Sequence, residues 1–170
     1  MTRQDPIVSS AHLVSEKAAD LSQFEYGLII ASKAFERWTV HCMTAAGIPD
    51  LAPLDILVLH NVYSRQREKT IASICLVLNI EDTHLVSYSL RKLRKLGLIE
   101  TRKRGKEAVF ATSEAGAQAC ERYREVREAC LIDALAAFGG PGTEDMASIA
   151  TRLRALSGIY DQAARAATSL

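Results

Sequence analysis

Arg91, Lys92, Arg94, Lys95, Arg102, Lys103, Arg104 and Lys106 crowd into residues 91–106, where Glu100 is the single acid. That segment carries +7 in a chain of 170 residues whose net charge is only +1, which leaves −6 for everything else. Charge segregated in this way makes a local surface for a polyanion on a body that resists non-specific sticking. The chemistry it offers is neutralisation of phosphates with release of their counterions. A plain solvated helix face is the alternative account of any basic run. The elements that hold these residues decide between the two.

The spacing of apolar residues predicts those elements. Leu21, Phe24, Leu28, Ala31, Phe35, Trp38, Cys42 and Ala45 recur at three-four spacing and put one stripe on a helix of about 25 residues. Gly47 and Pro49 end it. "LAPLDILVLHNVYS" predicts a second helix with Pro53 in its first turn, where a missing N–H is harmless. After the charged connection "RQREK", "TIASICLVLN" predicts a short third helix closed by Asn79, a residue that tolerates the left-handed conformation. "IEDTHLVSYSLRKLRKLG" predicts a fourth, capped by Asp82 or Thr83 and stopped by Gly97.

The period then changes to two. "LIETRK" and "EAVFAT" flank Arg104-Gly105-Lys106 and predict a β-hairpin turning at the glycine. Ser113 caps a fifth helix expected over about 114–138, and Gly139, Gly140, Pro141 and Gly142 break the chain. In the last helix Met146, Ile149, Leu153, Leu156, Tyr160, Ala163 and Ala167 keep heptad spacing. The expected fold is mainly α with a small β-hairpin wing: a winged helix-turn-helix flanked by long dimerisation helices. Its parts are an arm over 1–20, a dimerisation helix over 21–50, a DNA-binding lobe over 51–113 and C-terminal dimerisation helices over 114–170.

In such a lobe the helix after the turn can enter a major groove, which admits one helix. Ile80, Val86, Leu90 and Leu93 are expected to face inward. Thr83, His84, Ser87, Tyr88 and Arg91 then face outward as candidates for reading base edges, with Arg91 suited to bidentate contact with guanine. Lys92, Arg94 and Lys95 are expected on phosphates, which position a protein without reading sequence. The wing residues Arg102, Lys103, Arg104 and Lys106 can reach an adjacent minor groove, where negative potential favours arginine.

The chain resembles the MarR family of bacterial transcription regulators in "LAPLDILVLHNV", in "SICLVLNIEDTHLVSYSLRKLRKLGLIE" and in "SEAG" after the hairpin, together about residues 51–118. The resemblance implies a homodimer of triangular shape, two winged helices on a palindromic operator, and repression relieved by a small aromatic acid. The family's wing usually carries an Asp-x-Arg-Arg turn in which the acid braces the arginine; "TRKRGKEAV" lacks that Asp. Glu100 or Glu107, pairing with Arg102 or Arg104 across the strands, is the expected substitute. The family's effector pocket lies between the dimer helices and the lobe, where the first helix offers Arg37, Trp38 and His41 and the second offers His60, Asn61 and Tyr63. Some relatives sense peroxide through a cysteine near the start of the first helix. Cys42 lies near the end of that helix, which makes a redox sensor a variant of the same reading.

Other classes find less support. There is no Gly-rich phosphate loop, no G-x-S-x-G and no metal-spaced cluster, so neither an enzyme nor a cofactor is expected. All four cysteines fall in apolar helical patterns and are expected to be buried, reduced thiols. The first residues lack an apolar core like that of a secretory signal, which predicts a cytoplasmic, nucleoid-associated protein. A winged-helix module that binds an acidic protein is the rival from another class. A sequence-tolerant architectural DNA binder is a third, and the modest net charge opposes it.

Overall fold

The computed structural model describes residues 17–137 and 143–170. The proposed arm over 1–20 and the Gly-Gly-Pro-Gly break lie largely outside those residues. The chain divides into two units, one ending at Arg127 and one beginning at Glu128.

In the first unit α1 runs over Ala19–Ala45, α2 over Pro53–Tyr63, α3 over Ile71–Leu78, α4 over Thr83–Lys95 and α5 over Glu114–Arg127. The hairpin pairs β1 (Ile99–Arg104) with β2 (Glu107–Thr112) antiparallel, in a register that puts Arg104 opposite Glu107. Local chemistry sets each boundary. Pro53 opens α2, and the Ala52 amide donates to Asp55 Oδ2 at 2.9 Å. Thr70 caps α3 by accepting the Ser73 amide, and Asn79 closes it at φ +52. Asp82 caps α4 by accepting the His84 amide at 2.8 Å. Gly97 follows α4 at φ +72. Ser113 Oγ accepts the Gly116 amide at 3.1 Å and donates to the Gly97 carbonyl at 2.6 Å, tying the start of α5 to the end of α4.

The core gathers Met43 from α1, Ile56, Val58, Leu59 and Val62 from α2, Ile74 from α3, and Val86 and Leu93 from α4, all essentially inaccessible. Gly116 presses α5 onto the strand entry: a Cβ there would lie 1.9 Å from the Leu98 carbonyl oxygen. Only glycine allows that approach.

Three expectations change. Ala45 is exposed, and Met43 and Ala46 occupy the buried face near the end of α1 instead. The fifth helix does not run to 138; a π turn over Glu128–Ile132 interrupts it, followed by a short α6 over Asp133–Ala137. Cys42, Cys75 and Cys120 are buried as expected, but Cys130, in the π turn, is exposed. In the second unit α7 runs over Thr143–Ala167, with Met146, Ile149, Leu153 and Tyr160 exposed and Leu156 half-buried. Among the described residues no helix is long and apolar enough to cross a membrane.

Candidate nucleic-acid interface

Helix α4 has two faces that do different work. Val86, Leu90 and Leu93 are buried against the lobe, and Ile80, just before the helix, packs partly against the same cluster. Three contacts spread over about two turns fix the roll of the helix about its axis. Ser89 is buried on this side too, though its polarity hid it from a reading by hydrophobic period. Its hydroxyl donates to Asp55 Oδ1.

The same Asp55, buried on α2, accepts Lys92 Nζ through Oδ2 at 2.7 Å. Lys92 also donates to the Asp50 carbonyl at 2.7 Å. A buried carboxylate is tolerated here because the Ala52 amide, the Ser89 hydroxyl and the Lys92 ammonium all donate to it. The Lys92 ammonium is thereby tied to the loop between α1 and α2 as well as to α2 itself. Sequence placed it among the phosphate contacts, yet its hydrogen bonds point inward. The signal that would have found this link, an acid in the first turn of α2 and a lysine 37 positions later, has no local periodicity.

The outer face carries Thr83, His84, Tyr88 and Arg91, all exposed, with Ser87 half-buried. Tyr88 stands 65% exposed, so it is not a core tyrosine. The Arg91 guanidinium lies 6.0 Å from the centre of its ring, within reach of a cation–π contact that restricts both side chains. Ser87 donates to the Thr83 carbonyl at 2.8 Å. Arg94 and Lys95 are exposed one turn further on. Arg91 and Arg94 also line a cleft of about 240 Å³ between α4 and the hairpin, floored by Leu90 and Phe110.

On the wing, Arg102, Lys103, Arg104 and Lys106 are all exposed. Gly105 turns the hairpin at φ +63, and Lys106 beside it keeps a negative φ. That combination belongs to a two-residue turn with glycine first. The brace differs from the cross-strand pairing expected. Arg102 meets Glu100 at 3.2 Å along its own strand, and Glu68, outside the hairpin, at 4.0 Å. Residues two apart on a strand share a face, which explains the first contact. The second arises because Lys69 forms a bridge with Phe110, bringing the segment before α3 alongside β2. Both Arg102 pairs are solvent-exposed and worth a few tenths of a kcal/mol to ~1 kcal/mol at most.

The residues proposed for an effector separate into two groups. His60 and Tyr63 from α2 meet Cys120, Glu121, Tyr123, Arg124 and Arg127 from α5 around a cleft of about 290 Å³. The His60 ring packs edge-on against Tyr123, with centroids 4.5 Å apart. Burial holds the His60 pKa below the usual histidine value, so the ring is neutral at pH 7, and its buried Nε2 has no hydrogen-bond partner among the described residues. Tyr63 donates to Glu121 Oε1, and Arg124 pairs with the other oxygen of Glu121 at 3.0 Å. The hydrogen bond to Glu121 raises the Tyr63 pKa. Arg37, Trp38 and His41 do not line this cleft: Trp38 packs partly against the core, while Arg37 and His41 are exposed. Asn61 points into the core, and its Oδ1 has no partner among the described residues.

Cys42 is 1% exposed and donates its thiol to the Tyr123 carbonyl at 3.5 Å. A sensing thiol needs access and a stabilised thiolate, and burial removes the first. Cys120, in the same core cluster, has its pKa pushed up to about 12 by burial.

Comparison with known proteins agrees with this geometry. Residues 51–116 match the family described as winged helix DNA-binding domain. No curated protein is similar to the chain in sequence. A MarR family regulator from Neisseria meningitidis is similar in structure at 18% identity and a TM-score of 0.66, over 84% of this chain and 94% of that one. A mutant MarR from E. coli complexed with operator DNA is similar at 14% identity and a TM-score of 0.66, over 84% and 99%. The transcriptional repressor CouR bound to a 23-mer DNA duplex is similar at 17% identity and a TM-score of 0.66, over 84% and 99%. The winged helix read from the sequence is present, and the chain has the fold of MarR family regulators.

Proposed function

We propose that this chain is a homodimeric, sequence-specific DNA-binding transcription regulator, a repressor released by a small aromatic ligand bearing a hydroxyl or carboxylate. The observation that carries the DNA-binding part is α4: an inner face locked into the core and an outer face of Thr83, His84, Tyr88 and Arg91 beside exposed cations, with a cationic hairpin following directly. A reading helix must be held rigidly and must leave hydrogen-bonding groups free at its outer surface. Two of the structurally similar proteins, a mutant MarR and CouR, are bound to DNA, and CouR is a repressor, which supports the same use of this fold.

Homodimerisation is supported by the helices outside the lobe. Leu28, Ile29, Ile30 and Phe35 on α1 are exposed, as are Met146, Ile149 and Leu153 on α7. Apolar faces of this length are costly to leave in water, and a twofold partner can cover them. An effector is supported by the α2–α5 cleft, where aromatic walls from Tyr63 and Tyr123 meet Arg127 beside the paired Arg124 and Glu121. Such a lining suits a flat anionic ring.

The test is a pair of substitutions measured on a duplex that the wild type selects from a random pool and on a scrambled duplex of equal length. Arg91→Ala is expected to lose ~1–3 kcal/mol on the selected duplex and much less on the scrambled one. Lys95→Ala is expected to weaken both alike and to flatten the salt slope by about one. Equal losses on both duplexes for Arg91→Ala would remove Arg91 from base reading. A thermal-shift screen of aromatic acids tests the effector, since a ligand of the folded state raises the melting temperature by mass action.

A further inference from the structure

A second cationic site centres on the short connection between α2 and α3, with Arg104 of the wing in its wall. Lys69 is fixed there by its backbone: its amide donates to the Phe110 carbonyl at 2.9 Å and its carbonyl accepts the Phe110 amide at 2.8 Å. The residue is only 9% exposed. Its side chain borders a cleft of about 530 Å³ walled by Arg67, Glu68, Thr70, Ser73 and Arg104.

Among the described residues, no hydrogen bond or ion pair reaches the Lys69 ammonium. Burial lowers its pKa, and the neighbouring cations Arg67 and Arg65 lower it further. Glu68, the acid in the wall, lies 4.0 Å from Arg102. The Thr70 and Ser73 hydroxyls are engaged with each other's backbone in the cap of α3. The Lys69 ammonium opens into the cleft rather than into the core, and cations gathered around one cleft repel one another unless an anion joins them. The positive end of the α3 dipole adds to the same field.

We propose that Lys69, flanked by Arg67 and Arg104, is a seat for a phosphate of the DNA backbone. Arg104 belongs to the wing, so a backbone that reaches the wing tip also reaches this cleft. The seat rests on the DNA-binding reading and extends it from the wing to residues before α3. It positions the duplex and reads no sequence.

The experiment compares wild type, Lys69→Met and Lys69→Arg by fluorescence anisotropy on the selected and scrambled duplexes, from 50 to 200 mM salt. Lys69→Met is expected to weaken both duplexes by the same factor and to reduce the salt slope by about one. The wild-type advantage then shrinks about three- to fourfold across that salt range. Lys69→Arg is expected to keep the wild-type slope. The melting temperature of Lys69→Met without DNA is expected to equal or exceed that of wild type, because the variant removes one of the like charges gathered at the cleft. A wild-type slope in Lys69→Met would overturn the seat while leaving the regulator reading intact, as would a lowered melting temperature with an unchanged slope. Stabilisation of wild type but not Lys69→Met by inorganic phosphate, with equal slopes on DNA, would reassign the cleft to a free anion and overturn it. A wild type that binds no duplex at 50 mM salt would overturn the regulator reading and the seat together.

Discussion

Helices α1 and α4 are both amphipathic, yet their apolar faces meet opposite fates. On α4, Val86, Leu90 and Leu93 are fully covered by residues of the same lobe. On α1 only the last turns join the core, through Cys42 and Met43 with Ala46 just beyond, while Leu28, Ile29, Ile30 and Phe35 are exposed. Helix α1 is about 40 Å long at 1.5 Å per residue, longer than the lobe it packs on can cover. One helix is amphipathic to fix its own position, the other to offer a surface. The lobe is self-sufficient, whereas the apolar residues along the middle of α1 stay exposed.

The sharpest way to break the self-sufficient half is to wedge it open where backbones touch. Gly116→Ala places a methyl group 1.9 Å from the Leu98 carbonyl oxygen, backbone that cannot swing aside. We expect a loss at or above the top of the ~1–3 kcal/mol typical of overpacking, although alanine is the better helix former by ~1 kcal/mol. Urea denaturation measures this, and a neutral or stabilising result would mean that α5 does not press on the strand entry.

The other half of the comparison calls for a change that spares the lobe. The double substitution Ile30→Glu/Phe35→Glu puts charges on two exposed positions of α1. We expect it to shift the protein from dimer to monomer in sedimentation while the far-ultraviolet circular dichroism of the lobe is retained. An unchanged mass would show that this face is not the dimer contact.

The smallest effect concerns pH. Burial lowers the His60 pKa in the folded state below the ordinary value of 6.5. The unfolded chain then binds the proton more readily, so stability is complete above pH 6.5 and declines as pH falls from 6.5 toward the folded pKa. One proton contributes a slope of at most about 1.4 kcal/mol per pH unit. We expect His60→Gln to flatten the stability profile between pH 5 and 7. An unaltered profile would mean that His60 titrates as it does in water.

Much of the lobe was legible because its signals are local. Pro53, Asn79, Asp82, Gly97, Gly105 and Ser113 each mark a boundary through the conformation or hydrogen bond that the residue type favours. The outward position of Thr83, His84, Tyr88 and Arg91 followed from the period of a single helix. The inward hydrogen bonds of Lys92 did not, because they depend on Asp55 and Asp50. Nor did the Lys69 cleft, since the cations that build it come from the connection before α3 and from the wing. The π turn over Glu128–Ile132 was hidden as well: its residues continue a helical pattern, and one wider turn leaves no mark in composition. Periodicity reports which face of an element is buried, but not what the polar residues on that face will meet.

Stoichiometry tests the central claim most directly. Sedimentation equilibrium of the protein with the selected duplex gives the number of chains per DNA. The account predicts two chains on one duplex, and two chains in the free protein. A single chain in solution that remains single on the duplex would contradict it.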